Sequence, residues 1–236
     1  MNGRLLVLSD IHGMYHELVK LLSAACFDLH TDTMVVLGDY IDRGYYSRNV
    51  IELFMDLKTK DSARVTLLKG NHEDLCLKAH LGDERSRATA ERLWMANMGD
   101  RTLASFDNKI PDDVILFLKK MRVYKETEKF IFVHAGVHPS LPLSKMRPVD
   151  LMWSSSNLPH ISGKMIVVGH ALRDEVTYYP RENTLYIDTG AFQGVQGRAG
   201  RLSMVDLTNS VVHWVNTGGR NGGTYETKEL TFNGRS

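Results

Sequence analysis

The sequence predicts an α/β fold built on a mixed sheet, and two observations carry this prediction. Short continuous apolar runs at 5–8, 34–37 and 65–68 are typical of strands that are buried on both faces. Between these runs, residues 15–25 and about 47–57 carry apolar side chains at helical spacing. The order strand, helix, strand, helix, strand is that of parallel strands joined by crossover helices.

The rest of the chain changes from helices to strands. Residues 74–120 are predicted to be mainly helical, and the charged segment 83–92 is interpreted as a solvated helical face. Five further strands are predicted, the last two as a closing hairpin, at 129–133, 165–168, 185–187, 202–207 and 211–215. Residues 1–217 are therefore expected to form one domain, followed by a glycine-rich, loose C-terminal tail at 218–236.

Composition limits the classes of partner and the compartment. A net charge of +1 over 236 residues gives no general electrostatic reason to bind nucleic acid or a membrane surface. No apolar run approaches the roughly 20 residues that span a bilayer, and the first residues do not read as a signal peptide. Two cysteines make a disulfide framework improbable. The sequence predicts a cytoplasmic protein without nucleic-acid or membrane partners, and leaves its oligomeric state open.

Polar residues beside glycines terminate the predicted strands. Because ligands of open α/β sheets collect outside the carboxyl ends of the strands, we expect these side chains to converge. Taken singly, each of them could be a hydrogen-bonded turn residue, but their recurrence in glycine-flanked positions favours one common site. The candidate ligands are Asp10, His12, Asp39, Asn71, His134 and His170.

The types of these side chains indicate a metal centre. A mixed oxygen and nitrogen set without thiolate disfavours a structural zinc site and suits Mn²⁺, Fe or Zn²⁺ in a catalytic role, with Mn²⁺ favoured. Six ligands are too many for one open metal, but they suit two metals about 3.5–4 Å apart that share one carboxylate. Asp39 is predicted to be the shared ligand, because it lies at the middle of the three N-terminal strands.

Three neighbouring side chains complete a chemical prediction. Arg43 offers a planar fork that can hold two phosphate oxygens. His72 can protonate a leaving alkoxide, and Asp42 can orient that imidazole. Together with a hydroxide bridging two metals, these groups predict in-line attack on phosphorus, and hence a two-metal phosphoesterase.

Five sequence blocks resemble the PPP-type phosphoprotein phosphatases, within the calcineurin-like metallophosphoesterases. The blocks are Asp10–Gly13, Gly38–Gly44, Gly70–Glu73, His134–Gly136 and Gly169–His170. The helical insert at 94–99 and the small size are most similar to the bacterial and phage branch.

The resemblance implies more than the spacing does. It implies a four-layer αββα sandwich of two mixed β-sheets flanked by helices, with 1–217 as the catalytic domain. It assigns one metal to Asp10, His12 and Asp39. It assigns the second metal to Asp39, Asn71, His134 and His170. It makes His72 a general acid paired with Asp42, assigns substrate phosphate to Arg43 and Asn71, and expects Glu73 to brace Arg43.

One departure from the family pattern leaves the substrate open. The family usually places a second phosphate-binding arginine shortly after a tryptophan, but here Trp153 is followed by Ser154–Asn157. Arg173 is a candidate replacement, with a solvated loop arginine as the alternative. The leading prediction is a serine/threonine protein phosphatase, with phosphotyrosine also considered, acting on a phosphorylated protein or peptide. The alternatives are a dinucleoside polyphosphate hydrolase of the diadenosine tetraphosphate type and a catalytically silent phosphate-binding protein.

Overall fold

Two mixed β-sheets form the centre of the molecule. The computed structural model describes residues 3–154, 158–220 and 222–232. The first sheet contains β1 (Leu5–Leu8), β2 (Thr33–Val36), β3 (Val65–Leu67), β9 (Gly200–Asp206), β10 (Val211–Thr217) and β11 (Tyr225–Glu229), in the spatial order β11-β10-β9-β1-β2-β3. The second contains β4 (Tyr124–Glu126), β5 (Phe130–Val133), β6 (Met165–Val168), β7 (Thr177–Tyr179) and β8 (Thr184–Tyr186), in the order β4-β5-β6-β8-β7.

Helices cover the outer faces of the sheets. They are α1 (Tyr15–Ala24), α2 (Ser47–Lys60), α3 (Asn71–Leu81), α4 (Glu84–Ala96), α5 (Gly99–Ser105), α6 (Asp112–Lys120) and α7 (Pro148–Trp153). Two short 3₁₀ helices lie at Leu143–Lys145 and Ala191–Gln196. No helix in the described part of the chain is long and apolar enough to cross a membrane.

The alternation of side chains along the strands explains the four layers. Successive residues of a strand point to opposite faces of the sheet. Val7 of β1 packs with Phe132 of β5 in the core between the two sheets. The next residue, Leu8, packs with the helices outside the first sheet. Ile131 and Val133 of β5 pack beneath α7 on the other side. The predicted αββα sandwich is confirmed.

Strand direction positions the functional residues. β1, β2 and β3 are parallel neighbours, and β5, β6 and β8 are parallel neighbours in the other sheet. Their carboxyl ends therefore lie at one edge of each sheet, and the loops that follow them can meet there.

One expectation from the sequence needs correction, and a second gains a detail. Within the region interpreted as a loose tail, Tyr225–Glu229 forms an edge strand paired with β10, and Leu230 is buried. This strand exposes most of its polar side chains, so it lacks the apolar alternation that would have predicted it. The charged segment 83–92 does lie on a helix, but α4 also has a buried side that includes Ala90 and Trp94.

Candidate metal centre and catalytic site

Asp39 lies at the centre of the predicted ligand cluster. Its Oδ2 atom is 3.6 Å from His12 Nε2 and 3.4 Å from His134 Nε2. Asn71 Oδ1 lies 2.8 Å from His134 Nε2 and 3.1 Å from His170 Nδ1. The structure thus brings residues from the ends of β1, β2, β3, β5 and β6 into one place.

Asp10 joins this cluster through its carboxylate. Asp10 Oδ2 accepts hydrogen bonds from the backbone N–H of His170, at 3.0 Å, and from the Ser9 hydroxyl. Asp188, which follows β8, is buried nearby and accepts a hydrogen bond from the Gly190 N–H. Burial and the negative charge of Asp10 both raise the pKa of Asp188. All six candidate ligands therefore lie at the same edge of the sandwich.

The cluster divides into two donor groups that share Asp39. One group contains His12, Asp39 and His72, and the other contains Asp39, His134 and His170. Within each group the donor atoms lie within 4.8 Å of one another. The first group contains His72 where the resemblance implied Asp10. The geometry alone therefore leaves two possible roles for the His72 ring, metal ligand and proton donor.

Burial sets the protonation states of these donors. Desolvation raises the pKa of Asp10 to about 8 and that of Asp39 to about 7. It lowers the pKa of His134 to about 3 and that of His170 to about 4, so both imidazoles are neutral near pH 7. Neutral imidazoles can coordinate a cation, and a divalent cation would stabilise the two buried carboxylates. The chemistry of the donor set therefore fits divalent metal ions.

The backbone at the site adopts an unusual conformation. Six non-glycine residues of the sequence blocks have a left-handed backbone, with φ between 46° and 69°: Asp10, His12, Asp39, Asp42, Arg43 and His170. For a residue other than glycine this region costs roughly 1–2 kcal/mol, and such strain concentrates at functional sites. These sharp turns aim successive side chains at one point immediately after each strand.

Two glycines of the sequence blocks allow the backbone to approach the carboxylates. A Cβ on Gly70 would lie 2.6 Å from the Asp39 backbone nitrogen and against the Asp39 carboxylate. A Cβ on Gly169 would collide with Ser9 and the Asp10 carboxylate. Any side chain at either position would therefore displace a candidate metal ligand.

His72 and Asp42 form a buried pair beside the cluster. His72 Nδ1 lies 2.7 Å from Asp42 Oδ2, and both side chains are fully buried. His72 Nε2 lies 3.9 Å from Asp39 Oδ2 and has no hydrogen-bond partner among the described residues. A buried ring nitrogen that faces the donor cluster is available to a ligand placed there.

Trp94 and Thr102 hold Asp42, and the sequence did not single out either of them. Trp94 Nε1 donates to the Asp42 carboxylate, 2.9 Å from Oδ2 and 3.0 Å from Oδ1. The Thr102 hydroxyl donates to Asp42 Oδ1 at 2.5 Å and accepts from the Asp42 N–H at 2.8 Å. Ser47 is the first residue of α2, and its hydroxyl accepts a hydrogen bond from the same N–H.

These donors act on the protonation of the pair. Burial raises the pKa of Asp42 to about 7, and the hydrogen bonds from Thr102 and Trp94 oppose that shift. Burial lowers the pKa of His72 to about 4, and the charge of Asp39 opposes this shift. Because two other donors already point at the Asp42 oxygens, we assign the shared hydrogen bond to a proton on His72 Nδ1.

Glu73 supports the backbone and not the arginine it was expected to brace. Its carboxylate accepts hydrogen bonds from the backbone N–H groups of Asp39, Tyr40 and Gly70, each at 2.9 Å. Since Glu73 lies in the first turn of α3, its side chain turns back toward the loop after β2. It therefore fixes the peptide that carries Asp39.

Arg43 is half-buried and stacked. Its guanidinium lies 4.2 Å from the centroid of the Phe192 ring, and Phe192 also makes an edge contact with His12. Arg101 donates to the Arg43 carbonyl oxygen and stacks over Tyr45. Neither Phe192 nor Arg101 carries a local sequence signal, because each reaches Arg43 only through the fold.

Arg173 stacks on a tyrosine ring, and its Nε atom is buried without a hydrogen-bond partner among the described residues. Its guanidinium lies 4.2 Å from the centroid of Tyr186, and its Nη1 donates to the Leu172 carbonyl at 2.9 Å. None of these contacts involves the candidate ligands, so a role for Arg173 in substrate binding stays a prediction. Trp153 is 40% exposed, with its ring 6.4 Å from that of His170. Of the residues that follow it in place of the usual arginine, Ser154–Asn157, only Ser154 lies in the described part of the chain.

The Trp94→Phe variant tests the support of Asp42. It keeps most of the ring volume but removes the N–H that donates to Asp42, so we expect kcat to fall about tenfold with KM and metal content unchanged. Trp214→Phe is the matched control, because Trp214 Nε1 has no hydrogen-bond partner among the described residues. Equal kcat values for the two variants would show that Trp94 only fills space.

Comparison with known proteins gives the family. Residues 3–193 match the calcineurin-like phosphoesterase family. Serine/threonine-protein phosphatase 2 of Escherichia coli is 29% identical over 219 residues, which cover 85% of this chain and 91% of that protein. The symmetrical bis(5'-nucleosyl)-tetraphosphatase of Vibrio vulnificus is 30% identical over 141 residues, covering 60% of this chain and 47% of that enzyme.

A solved structure shares the fold. The Saccharomyces cerevisiae protein serine/threonine phosphatase with similarity to human phosphatase PP5 superposes with a TM-score of 0.62 at 17% identity, covering 98% of this chain and 81% of that one. Several curated relatives are longer, and the aligned part covers less than half of them, the Vibrio enzyme among them. The chain belongs to the calcineurin-like metallophosphoesterases, a family of hydrolases with serine/threonine phosphatases among its members.

Proposed function

We propose that the protein is a two-metal phosphomonoesterase that removes phosphate from phosphoserine and phosphothreonine side chains, and also from phosphotyrosine. The observation that carries this proposal is the His72 ring. One of its nitrogens is bonded to Asp42, and the other is buried and directed at Asp39. This is the arrangement expected of a proton donor fixed beside a reacting group.

The donor set supports two divalent ions, with Mn²⁺ proposed and Fe or Zn²⁺ as alternatives. Asp39 is proposed to bind both ions. The remaining ligands would be Asp10 and His12 for one ion, and Asn71, His134 and His170 for the other. When bound, the ions supply a water activated for attack and neutralise charge on the phosphate.

The side chains of this chain supply the remaining steps. Arg43, held by Phe192, is proposed to bind two phosphate oxygens and orient the ester, together with the amide of Asn71. His72 then gives the proton of Nε2 to the leaving oxygen. The negative charge of the bound phosphate favours the doubly protonated ring that this step requires, and so opposes the lowering of its pKa by burial. Asp42 keeps the ring oriented through Nδ1.

A substrate panel tests the proposal. The Mn²⁺-loaded protein is expected to show a higher kcat/KM for phosphoserine and phosphothreonine peptides than for diadenosine tetraphosphate. Diadenosine tetraphosphate is included because the Vibrio relative is named as a bis(5'-nucleosyl)-tetraphosphatase. Preference for the dinucleotide would replace the protein-phosphatase assignment, and failure to turn over any of these or an aryl phosphate would indicate a silent phosphate-binding protein.

A further inference from the structure

A cavity separate from the candidate metal centre lies where the edge strand β3 of the first sheet comes close to the edge strand β4 of the second. It has a volume of about 800 Å³ and lies between the ends of α2 and α6, beside β3 and β4. Leu68, which follows β3, pairs with Arg122, and the Lys69 N–H donates to the Arg122 carbonyl at 2.7 Å. None of the candidate metal ligands, nor His72 or Arg43, lines this cavity.

The charged residues around this cavity are all cations. They are Lys58, Lys120, Arg122 and Lys125. Within 3–154, 158–220 and 222–232, none of the four forms an ion pair with a carboxylate. The acids closest in sequence to these cations do not line the cavity, and each pairs with a cation outside it: Asp56 with Lys60, Asp61 with Arg64, and Glu126 with Lys164. The charge of Asp61 partly opposes the lowering of the Lys58 pKa. The cavity is therefore a concentrated positive site in a chain whose net charge is only +1.

The two half-buried lysines are held in place and repel the other cations. Lys58 Nζ donates to the carbonyl oxygens of Ser62 and Val65, both at 2.6 Å, and Lys125 Nζ donates to the Thr66 hydroxyl at 3.1 Å. Burial lowers the pKa of both lysines, and the charge of Arg122 lowers them further. An anion among these groups would relieve that repulsion.

The floor of the cavity is apolar. It is formed by Met55, Leu67, Phe117 and Met121. The volume falls within the range of pockets that hold a small organic ligand, and an apolar lining with a few convergent polar groups is typical of them. Inorganic phosphate alone would leave this floor uncovered, whereas a phosphorylated molecule with an aromatic body would use both parts of the cavity.

We infer that this cavity is a binding site for a nucleoside diphosphate or a closely similar phosphorylated aromatic molecule, separate from the catalytic centre. The phosphates lie among Lys58, Arg122 and Lys125, and the base covers Phe117. The cations are gathered inside one concave site and not spread along a surface, which favours a small ligand over a nucleic-acid strand.

Isothermal titration of the metal-loaded protein with the methylene analogue of ADP, which resists hydrolysis, tests this inference. The double variant Arg122→Gln/Lys125→Gln should bind about tenfold more weakly or worse, because losing even one charge-assisted contact corresponds to about that factor. The matched control, Lys20→Gln/Arg181→Gln, removes the same charge from exposed positions elsewhere and should bind like the parent. Arg43→Ala should keep this binding event, which separates it from occupancy of the catalytic centre.

Lysine acylation followed by mass spectrometry gives a second readout that does not depend on catalysis. The analogue should protect Lys58, Lys120 and Lys125 but not Lys20. The single variant Arg122→Gln, at an exposed residue assigned to the phosphates, replaces the double variant if thermal melting shows that the latter is unfolded, and it should also bind the analogue more weakly than the control variant. Equal affinities of the cavity and control variants, unchanged labelling, or tighter binding of a single-stranded oligonucleotide than of the analogue would each overturn the assignment.

Discussion

Replacing His72 by asparagine is expected to lower kcat for an aryl phosphate by about 10²–10⁴-fold, the usual contribution of a positioned proton donor. Asparagine is shorter than histidine and cannot deliver a proton from the position of Nε2. It can still donate from its amide toward Asp42. The loss should be larger for an alkyl phosphate than for a nitrophenyl phosphate, because the poorer leaving group depends more on protonation.

Metal analysis of the same variant separates the two roles that the geometry allows for His72. If His72 is a proton donor, the His72→Asn variant keeps its metal content. If His72 is a ligand of the first donor group, the variant binds less metal than the parent. His16→Asn is the matched control, because His16 is an exposed ring on α1. Unchanged kcat, or loss of metal together with activity, would contradict the assignment of His72 as the acid.

Replacing Asp39 by asparagine is expected to abolish activity by emptying the metal centre. Substitution of a residue that only hydrogen-bonds to a metal ligand typically lowers metal affinity 10–100-fold. Removal of a carboxylate shared by two ions should therefore lower metal affinity at least about 100-fold. Asp56→Asn, at an exposed residue of α2 paired with Lys60, is the control for loss of one carboxylate. Metal content and kcat of the two variants, after equal exposure to Mn²⁺, make the comparison.

Proton release gives an independent measure of the same role. In the metal-free protein burial raises the pKa values of Asp10 and Asp39 to about 8 and about 7, so both carboxyls are at least partly protonated near pH 7. Metal binding requires the carboxylates and therefore releases protons, so affinity should rise with pH between about 6 and 8. Titration in two buffers of different ionisation enthalpy should show fewer protons released by Asp39→Asn, and equal release would contradict a direct role.

The clustering of the candidate metal ligands could be predicted from sequence because its signals are local. Each candidate ligand follows a short apolar run and has a glycine within three positions, and parallel strands bring such ends together whatever their separation in the chain. Asp10 and His170, which are 160 positions apart, meet for this reason.

The residues that hold Asp42, the partner of the proposed acid His72, could not be predicted in the same way. Trp94 lies 52 positions after Asp42 and has the sequence context of an ordinary buried residue of an amphipathic helix. Thr102 and Phe192 are equally unmarked, since only the packing of α5 and of the segment Ala191–Gln196 brings them to the site. The edge strand Tyr225–Glu229 was missed for a different reason, because a polar exposed strand after a glycine-rich turn has the composition of a loose tail.

The helical pair α4–α5 has a consequence for how this enzyme can diversify. The proposed metal ligands come from loops at strand ends, whereas Asp42, which orients the proposed proton donor, is held by Trp94 and Thr102 of the helical pair. Substitutions within these helices can therefore change how well the leaving alcohol is protonated without changing how the phosphoryl group is bound. Tolerance for poor leaving groups and affinity for phosphate can thus be altered separately, in different parts of one chain.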